Sequence, residues 1–264
     1  NSDTPLFASC WRLTLTPPEL IRLTSPRNII LNGIARMTVN YKIIVHGNNL
    51  RLRKGFLALA NATLITCDSG PLLFDVGHYC NRMTLLEGLK SEGMTPDDIK
   101  VVFLSHLHFD HCNNVDLFPN AKIMVSRREW DYVGDPHEKD MYIPWMIKEQ
   151  LAKHDLKLID GESRIDNGVD YFPAPGHTPG SFAIRLDTTH HGCVVIAGDA
   201  LKYPKEAVSR KCDMAFDTIS AGTKTIGRIL DMADRIVPGH FPELIKRDGQ
   251  FTWDDAAELP LLVR

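Results

Sequence analysis

The stretch Ser105-His106-Leu107-His108-Phe109-Asp110-His111 decides the fold of this sequence. Three imidazoles and one carboxylate lie within six positions of it, and all four side chains are able to bind a divalent metal. The apolar run Val101-Val102-Phe103-Leu104 comes directly before it and predicts a buried strand. The candidate ligands therefore follow the carboxyl end of a strand, where the loop sets the direction of each side chain.

Alternation along this turn divides the candidate ligands into two pairs. We predict that His106 and His108 point one way, whereas Asp110 and His111 point the other. This division indicates two adjacent metal positions. Imidazole and carboxylate ligands without a thiolate suit zinc, and iron and manganese accept similar ligand sets.

Four further stretches carry residues of the same chemistry after predicted strands. They are Pro71-Leu72-Leu73-Phe74-Asp75-Val76-Gly77, Ala174-Pro175-Gly176-His177-Thr178-Pro179-Gly180, Val194-Val195-Ile196-Ala197-Gly198-Asp199 and Ile236-Val237-Pro238-Gly239-His240. Together with the central stretch, and in the same order, they resemble the sequence blocks of the metallo-β-lactamase-fold hydrolases. Residues 111–121 also resemble the stand-alone metallo-β-lactamase-domain proteins of animals and archaea.

This resemblance implies a ligand set and its chemistry. Seven side chains would hold two metal ions, three for the first, three for the second and one bridging both: His106, His108 and His177; Asp110, His111 and His240; and Asp199. Two zinc ions are expected, with iron or manganese as alternatives, and they would share a hydroxide that attacks a carbonyl. Asp110 would also carry a proton to the leaving group, and Asp75 would hold a ligand histidine or a loop amide in place.

The predicted strands fall into two groups, each followed by helices. Strands are predicted at residues 39–45, 62–67, 72–76, 101–104, 121–125, 169–172, 181–186, 193–197 and 235–237. Helices are predicted at residues 81–92, 127–133, 142–153 and 217–232. This pattern is compatible with two sheets packed face to face, although periodicity alone leaves several α/β layouts open. The resemblance selects the four-layered αββα sandwich.

The matching stretches span most of the 264 residues, so we expect one metallo-β-lactamase-fold domain over residues 1–264. Residues 1–38 contain Pro5, Pro17, Pro18 and Pro26 but no candidate ligand. We interpret this segment as an amino-terminal extension or a dimer arm, which leaves a homodimer open.

Composition limits the partners that the chain can have. A hydrophobic content of 44% with 24% charged residues is ordinary for a soluble globular protein. A net charge of -3 gives no electrostatic reason to expect nucleic acid or a membrane as partner, so we expect a small-molecule substrate. The six cysteines form no Cys-x-x-Cys pair, which favours a cytoplasmic location, although a removed signal peptide would leave no trace.

Particular residues separate the branches of the family. Asp199 stands where the common zinc β-lactamases carry Cys, and His108 stands where flavo-diiron oxidoreductases carry Glu. Because the segment after His240 is short in this sequence, we do not expect the helical glutathione domain of glyoxalase-II-type thioesterases. Compact hydrolases remain, including lactonases that open acyl-homoserine lactones, and Ala215-Phe216-Asp217 is similar to the stretch that precedes the last helix of those lactonases.

One position departs from the lactonase pattern. Those lactonases place a Tyr three residues after the bridging Asp, where it contacts the substrate carbonyl, but here Lys202 holds that place and Tyr203 follows it. We predict Tyr203 as a catalytic residue that reaches the pocket through a shifted loop, with Lys202 facing solvent. A surface turn at these two residues and Pro204 is an equal alternative.

The sequence therefore predicts a metallohydrolase that opens a small ester, with a lactone as the first choice of substrate. Trp130, Tyr142, Ile143, Trp145 and Met146 are candidate pocket walls, or else helix-packing residues, and as walls they would favour an uncharged acyl or ring substrate. The alternatives are a mononuclear iron oxidoreductase similar to the persulfide dioxygenases, a β-lactam or thioester hydrolase of the same fold, and a binding scaffold without catalysis.

Overall fold

The computed structural model describes residues 38–254. The extension or dimer arm predicted for residues 1–38 lies outside the described residues, except for its last residue. None of the helices within residues 38–254 has both the length and the apolar character that crossing a membrane requires.

The first sheet has six strands that lie side by side in chain order. They are β1 (Asn40–Val45), β2 (Ala62–Cys67), β3 (Gly70–Phe74), β4 (Val101–Phe103), β5 (Lys122–Ser126) and β6 (Asp155–Ile159). Strands β1 to β3 pair antiparallel, and β3 to β6 pair parallel. Parallel strands are covered on both faces, which explains why β3 and β4 consist of continuous apolar runs.

The second sheet has seven strands, and they too follow one another in chain order. They are β7 (Ser163–Asp166), β8 (Val169–Pro173), β9 (Phe182–Thr188), β10 (Gly192–Gly198), β11 (Arg235–Pro238), β12 (Leu244–Arg247) and β13 (Gln250–Thr252). Strands β10 and β11 pair parallel, whereas the other neighbours pair antiparallel. A parallel pair needs a long crossover connection, and the chain between β10 and β11 supplies it with two helices.

Within the described residues, six α-helices connect the strands. They are α1 (Arg82–Ser91), α2 (Phe109–Cys112), α3 (Arg127–Tyr132), α4 (Ile147–Leu151), α5 (Pro204–Ser209) and α6 (Ile219–Met232). The longest is α6, which the Thr218 side chain caps by accepting a hydrogen bond from the backbone N–H of Ala221 at 3.0 Å. Its buried residues Ile226 and Ile229 belong to one hydrophobic cluster with β10 and β11.

Three hydrophobic clusters define four layers. Between the sheets, Phe74 and Phe103 of the first sheet pack with Ile184 and Val237 of the second. A second cluster joins the first sheet to α1 and α4, and a third joins the second sheet to α6. Helices therefore cover the outer face of each sheet, and the predicted αββα sandwich is confirmed.

The structure differs from the sequence predictions at four helices and four strands, and two of these helices, α2 and α5, have no counterpart in the predictions. The helix predicted over residues 142–153 covers only α4, because Pro144 disfavours helical backbone before it and Met146 adopts a left-handed φ of +59°. The helix cap predicted at Asp217 lies one residue later, at Thr218. Strands β6, β7, β12 and β13 have no counterpart in the predictions, since each mixes charged and apolar residues over a short length.

Candidate metal centre

The seven predicted ligands come together at one end of the sandwich, in loops and a short helix that follow strands of both sheets. By the strand that precedes each, they are His106, His108, Asp110 and His111 after β4, His177 after β8, Asp199 after β10, and His240 after β11. All of them except Asp110 are buried. A rigid scaffold thus presents each side chain from a strand end, where functional residues are commonly found.

The ligand atoms of these side chains form three overlapping groups. In each group, the atoms lie within 4.8 Å of one another: His106 with His108 and His177, His106 with His111 and Asp199, and Asp110 with His111 and His240. The first and third groups share no residue, which is compatible with two metal positions. The role of these side chains as ligands stays a prediction that metal analysis tests.

Asp199 lies between the two outer groups. One carboxylate oxygen, Oδ2, is 3.2 Å from Nε2 of His177, while the other, Oδ1, is 3.3 Å from Nε2 of His111 and 3.2 Å from Nε2 of His240. A side chain at position 239 would crowd this carboxylate, because a Cβ on Gly239 would lie 2.1 Å from Oδ1. The two oxygens therefore face different histidines, as a bridging ligand requires.

Buried polar atoms that lack hydrogen-bond partners indicate whether this cluster is suited to bind a metal ion. Nε2 of His106, Nε2 of His111 and Oδ1 of Asp199 are buried, and none has a hydrogen-bond partner within residues 38–254. Leaving such an atom unpaired costs about 1–3 kcal/mol, so three in one cluster need an explanation. A cation bound among them would satisfy these atoms, and an imidazole and carboxylate set without thiolate suits zinc.

The Asp75 carboxylate, directly after β3, orients the buried part of the cluster. One oxygen accepts a hydrogen bond from the backbone N–H of Ser105 at 2.7 Å, and the other accepts from the Ser105 hydroxyl and from Nδ1 of His111, each at 2.7 Å. Nδ1 of His106 lies 2.9 Å from the same hydroxyl. Because Nδ1 is engaged in both histidines, Nε2 is the nitrogen that faces the cluster.

The electrostatics of the cluster act differently on its individual ligand side chains. Burial, together with the charge of neighbouring His111, holds the pKa of His106 well below its usual value. Burial also holds the pKa of His177 well below its usual value. For Asp199, burial favours the neutral acid, but the positive charges of His240, His177 and His111 outweigh it and hold its pKa well below the usual range. Burial also opposes the charged form of His111 and His240, but the carboxylates of Asp75 and Asp199 beside His111, and of Asp199 beside His240, outweigh it and hold both pKa values above the usual one. Neutral imidazole is the form that binds metal, so a metal bound here would displace a proton from each of these two side chains.

Glu129, in α3, is a fully buried carboxylate that sequence analysis missed. It accepts hydrogen bonds from the backbone N–H groups of Leu107 at 3.0 Å and Gly180 at 3.1 Å, and from the Thr178 hydroxyl at 2.7 Å. It therefore ties the loop after β4 to the loop after β8, and both loops carry predicted ligands. Nothing in the sequence marks it, because an acidic residue in the first turn of a helix is commonly a solvent-exposed partner of the helix dipole.

Asp140 is a second buried carboxylate that sequence analysis missed. Its Oδ2 lies 3.1 Å from Nε2 of His108 and accepts the Tyr132 hydroxyl at 2.6 Å, while Oδ1 accepts the backbone N–H of Tyr142 at 3.1 Å. Nε2 of His108 is thereby engaged, and Nδ1 lies 3.0 Å from Nε2 of His177. The nitrogen of His108 that faces the cluster is therefore Nδ1, in contrast to His106 and His111.

A cavity of about 440 Å³ opens over the cluster. Its lining combines apolar side chains, namely Phe56, Ala58, Phe109, Tyr142 and Met214, with polar ones, namely Asn49, Arg51, Lys202, Tyr203, Lys205 and Asp213. Asp110, the least buried of the predicted ligands, also lines it. The cluster is therefore accessible to a small molecule from one side.

The predicted pocket walls are only partly correct. Tyr142 lines the cavity, whereas Trp130 and Ile143 pack against the core beside the first sheet. Trp145 is 89% exposed and Met146 is 50% exposed, so neither forms a wall or packs inside a helix. The short α4 explains this outcome, because residues 142–146 form a loop and not the first turns of a longer helix.

The prediction that Lys202 faces solvent is wrong. Lys202 is 4% exposed and lines the cavity, and its Nζ lies 2.9 Å from Glu206 and 3.6 Å from Asp213. Glu206, in the first turn of α5, supplies the buried partner that this ammonium needs. Tyr203 also lines the cavity and donates a hydrogen bond to Asp213, so the surface-turn alternative does not hold. Its catalytic role stays a prediction.

Comparisons with known protein families and curated proteins show which proteins this chain is similar to. A family model for the metallo-beta-lactamase superfamily matches residues 57–240. Metallo-beta-lactamase domain-containing protein 1 of Xenopus laevis is 30% identical over 192 residues, which is 71% of this chain and 72% of that protein. An N-acyl homoserine lactonase of Bacillus thuringiensis is 34% identical over 167 residues, which is 54% of this chain and 64%, or less than two thirds, of that protein.

Solved structures show the same fold. A candidate metallo-beta-lactamase of Thermotoga maritima matches with a TM-score of 0.64 and 22% identity, over 79% of this chain and 100% of that one. A quorum-quenching N-acyl homoserine lactone lactonase matches with a TM-score of 0.62 and 23% identity, over 79% of this chain and 93% of that one. At this level of identity, the likeness establishes the fold and not the substrate.

Proposed function

This chain belongs to the metallo-β-lactamase superfamily of hydrolases, and we propose that it is a two-metal hydrolase that opens a small ester, with a lactone as the favoured substrate. The observation that carries this proposal is the position of Asp199, of which one oxygen approaches His177 and the other approaches His240. Similarity to N-acyl homoserine lactonases supports the lactone.

The described side chains divide the metal-binding work. His106, His108 and His177 would hold one zinc ion, and Asp110, His111 and His240 the second, with Asp199 between them. Bound zinc supplies a hydroxide nucleophile near neutral pH and polarises the carbonyl that is attacked. Iron and manganese are alternatives for the same ligands.

Two side chains at the cavity would handle the ester itself. We assign proton transfer to Asp110, because it lines the cavity and is the least buried carboxylate of the cluster. Its carboxylate would accept a proton from the attacking water and pass it to the leaving alkoxide. Tyr203 would donate its hydroxyl to the substrate carbonyl after releasing Asp213, which accepts that hydroxyl in the structure. This exchange costs little because Lys205 lies 3.1 Å from the same carboxylate and stays as its partner.

Metal loading with a substrate panel tests the proposal. Zinc-loaded protein is assayed with acyl-homoserine lactones, simple lactones, aryl esters, thioesters and a β-lactam. We expect lactone turnover with about two zinc ions per chain, lost on chelation and restored by zinc. Protein that holds both ions and turns over none of these compounds contradicts the hydrolase. One iron per chain with oxygen uptake on glutathione persulfide would instead establish the oxidoreductase alternative.

The second group of ligand atoms distinguishes these two functions. A one-metal centre needs only the group around His177, yet Asp110, His111 and His240 also converge beside the cavity. This convergence favours the two-metal hydrolase. A small-molecule substrate, a homodimer, a cytoplasmic location and the lack of nucleic-acid or membrane partners stay predictions.

A further inference from the structure

The chain between β1 and β2 reaches over the metal centre. Asn48 pairs with Leu59 and Arg51 pairs with Phe56, so residues 48–59 form an irregular hairpin, which we call the hairpin. Its base touches a predicted ligand directly, because Nδ1 of His240 lies 3.0 Å from the carbonyl oxygen of Leu59 and 3.3 Å from that of Asn48. These two contacts fix the base of the hairpin beside the cluster.

The hairpin also closes one side of the cavity. Its Phe56 ring packs edge-on against the Tyr142 ring, with 5.8 Å between the ring centroids, and both side chains line the cavity. Tyr142 belongs to the loop before α4, so two separate loops meet across the entrance. A substrate that reaches the metals must therefore pass beside the hairpin.

Arg51 is the cation that the hairpin brings to this cavity. Within residues 38–254 it forms no ion pair, and its guanidinium lies 5.4 Å from the centroid of the Phe56 ring. The two lysines that line the same cavity differ from it, because Lys202 is paired with Glu206 and Lys205 with Asp213. Among the three cations that line the cavity, Arg51 is thus the one that forms no ion pair with a carboxylate of residues 38–254.

We propose that Arg51 binds an anionic oxygen group, carboxylate or phosphate, that the substrate carries apart from its scissile ester. A guanidinium presents a planar fork of donors that matches such a group with two parallel hydrogen bonds. The Phe56 ring beside it favours the charged, planar guanidinium through a cation–π contact. The inference rests on the proposed hydrolase and narrows its substrate to acidic esters or lactones, against the uncharged substrate expected from sequence.

Matched pairs of substrates and variants test this assignment. One substrate is the 4-nitrophenyl monoester of glutaric acid, which keeps a free carboxylate. The other is the 4-nitrophenyl ester of hexanoic acid, which is similar in length and uncharged. A phosphate-bearing ester of similar length separates the two anion types. The variants are Arg51→Ala and Arg53→Ala, since Arg53 is an exposed cation of the same hairpin that does not line the cavity.

We expect KM for the acidic ester to be about five- to tenfold lower than for the neutral ester, as a charged hydrogen bond at an exposed site allows. This preference should disappear in Arg51→Ala and persist in Arg53→Ala, with Arg51→Lys keeping part of it. A wild-type protein without the preference, or an equal loss in both alanine variants, overturns the proposal.

A binding experiment keeps this inference separate from the hydrolase. Calorimetry with the zinc-loaded protein compares the anilide of glutaric acid, which the same chemistry cleaves far more slowly than an ester, with the anilide of hexanoic acid. The expected result is about five- to tenfold tighter binding of the acidic anilide, lost in Arg51→Ala alone. If no ester is turned over but this difference is found, the hydrolase fails and the Arg51 site stands. If esters are turned over without it, the hydrolase stands and the Arg51 site fails.

Discussion

The candidate metal centre has a floor and a rim that are built in different ways. We call the floor the buried set of His106, His111, Asp75 and Ser105, in which each side chain holds another at 2.7–2.9 Å. The rim is the hairpin together with residues 202–214, and its Arg51 is an exposed side chain. The hydrogen bonds of the floor hold the imidazoles of His106 and His111 in one orientation, whereas side chains of the rim can be replaced without breaking these hydrogen bonds. We propose that the floor sets the chemistry by orienting metal ligands, and that the rim, apart from the catalytic role proposed for Tyr203, sets the choice of substrate.

Asp75→Asn should have the largest effect, since it acts on the floor. An amide cannot accept from all three groups that the carboxylate now binds, so His111 loses its fixed orientation. We expect metal affinity and lactone turnover to fall about 10–100-fold. Competition with a fluorescent zinc chelator measures the affinity. Asp155→Asn, which removes a surface ion pair of β6, is the matched control and should change neither quantity. Unchanged zinc affinity in Asp75→Asn would show that the Asp75 carboxylate does not orient the ligand histidines.

Asp140→Asn should have a smaller effect, because Asp140 lies in the loop between α3 and α4 and contacts only one of the predicted ligands, His108. We expect zinc affinity to fall about tenfold, with a similar fall in turnover. The measurement is the same chelator competition, with Asp135→Asn as control because Asp135 is an exposed residue of the same loop. A full loss of both metals would mean that this carboxylate belongs functionally with the floor.

Tyr203→Phe should have the smallest effect, since it removes one hydroxyl from the rim. Loss of a single hydrogen bond to the substrate carbonyl predicts a fall in kcat/KM of about fivefold to tenfold, with zinc content unchanged. Steady-state kinetics on the best lactone, with elemental analysis of the same sample, measure both. Kinetics identical to those of the unsubstituted protein would show that Tyr203 only supports Asp213, and that its predicted catalytic role is wrong.

The same division explains what could be predicted from the sequence. His106, His111 and Asp75 follow apolar strands, so spacing along the chain is enough to place them at strand ends. Asp140 and Glu129 could not be predicted, because their burial depends on loops and strands that are distant in sequence.

Lys202 illustrates the remaining limit. A lysine beside a proline turn is commonly exposed, but here α5 brings Glu206 to its ammonium and makes burial tolerable. The αββα layers followed from the grouping of strands, together with the family resemblance. The hairpin and the loop before α4 could not be predicted, since neither has the periodic spacing of hydrophobic residues from which a helix or strand is recognised.

Anomalous diffraction from crystals of the zinc-loaded protein tests the central claim most directly. The account predicts two zinc peaks about 3.5–4 Å apart, on either side of Asp199. One should contact His106, His108 and His177, and the other Asp110, His111 and His240. Crystals that contain zinc but show no peak at Asp199, or only peaks on the protein surface, would contradict it.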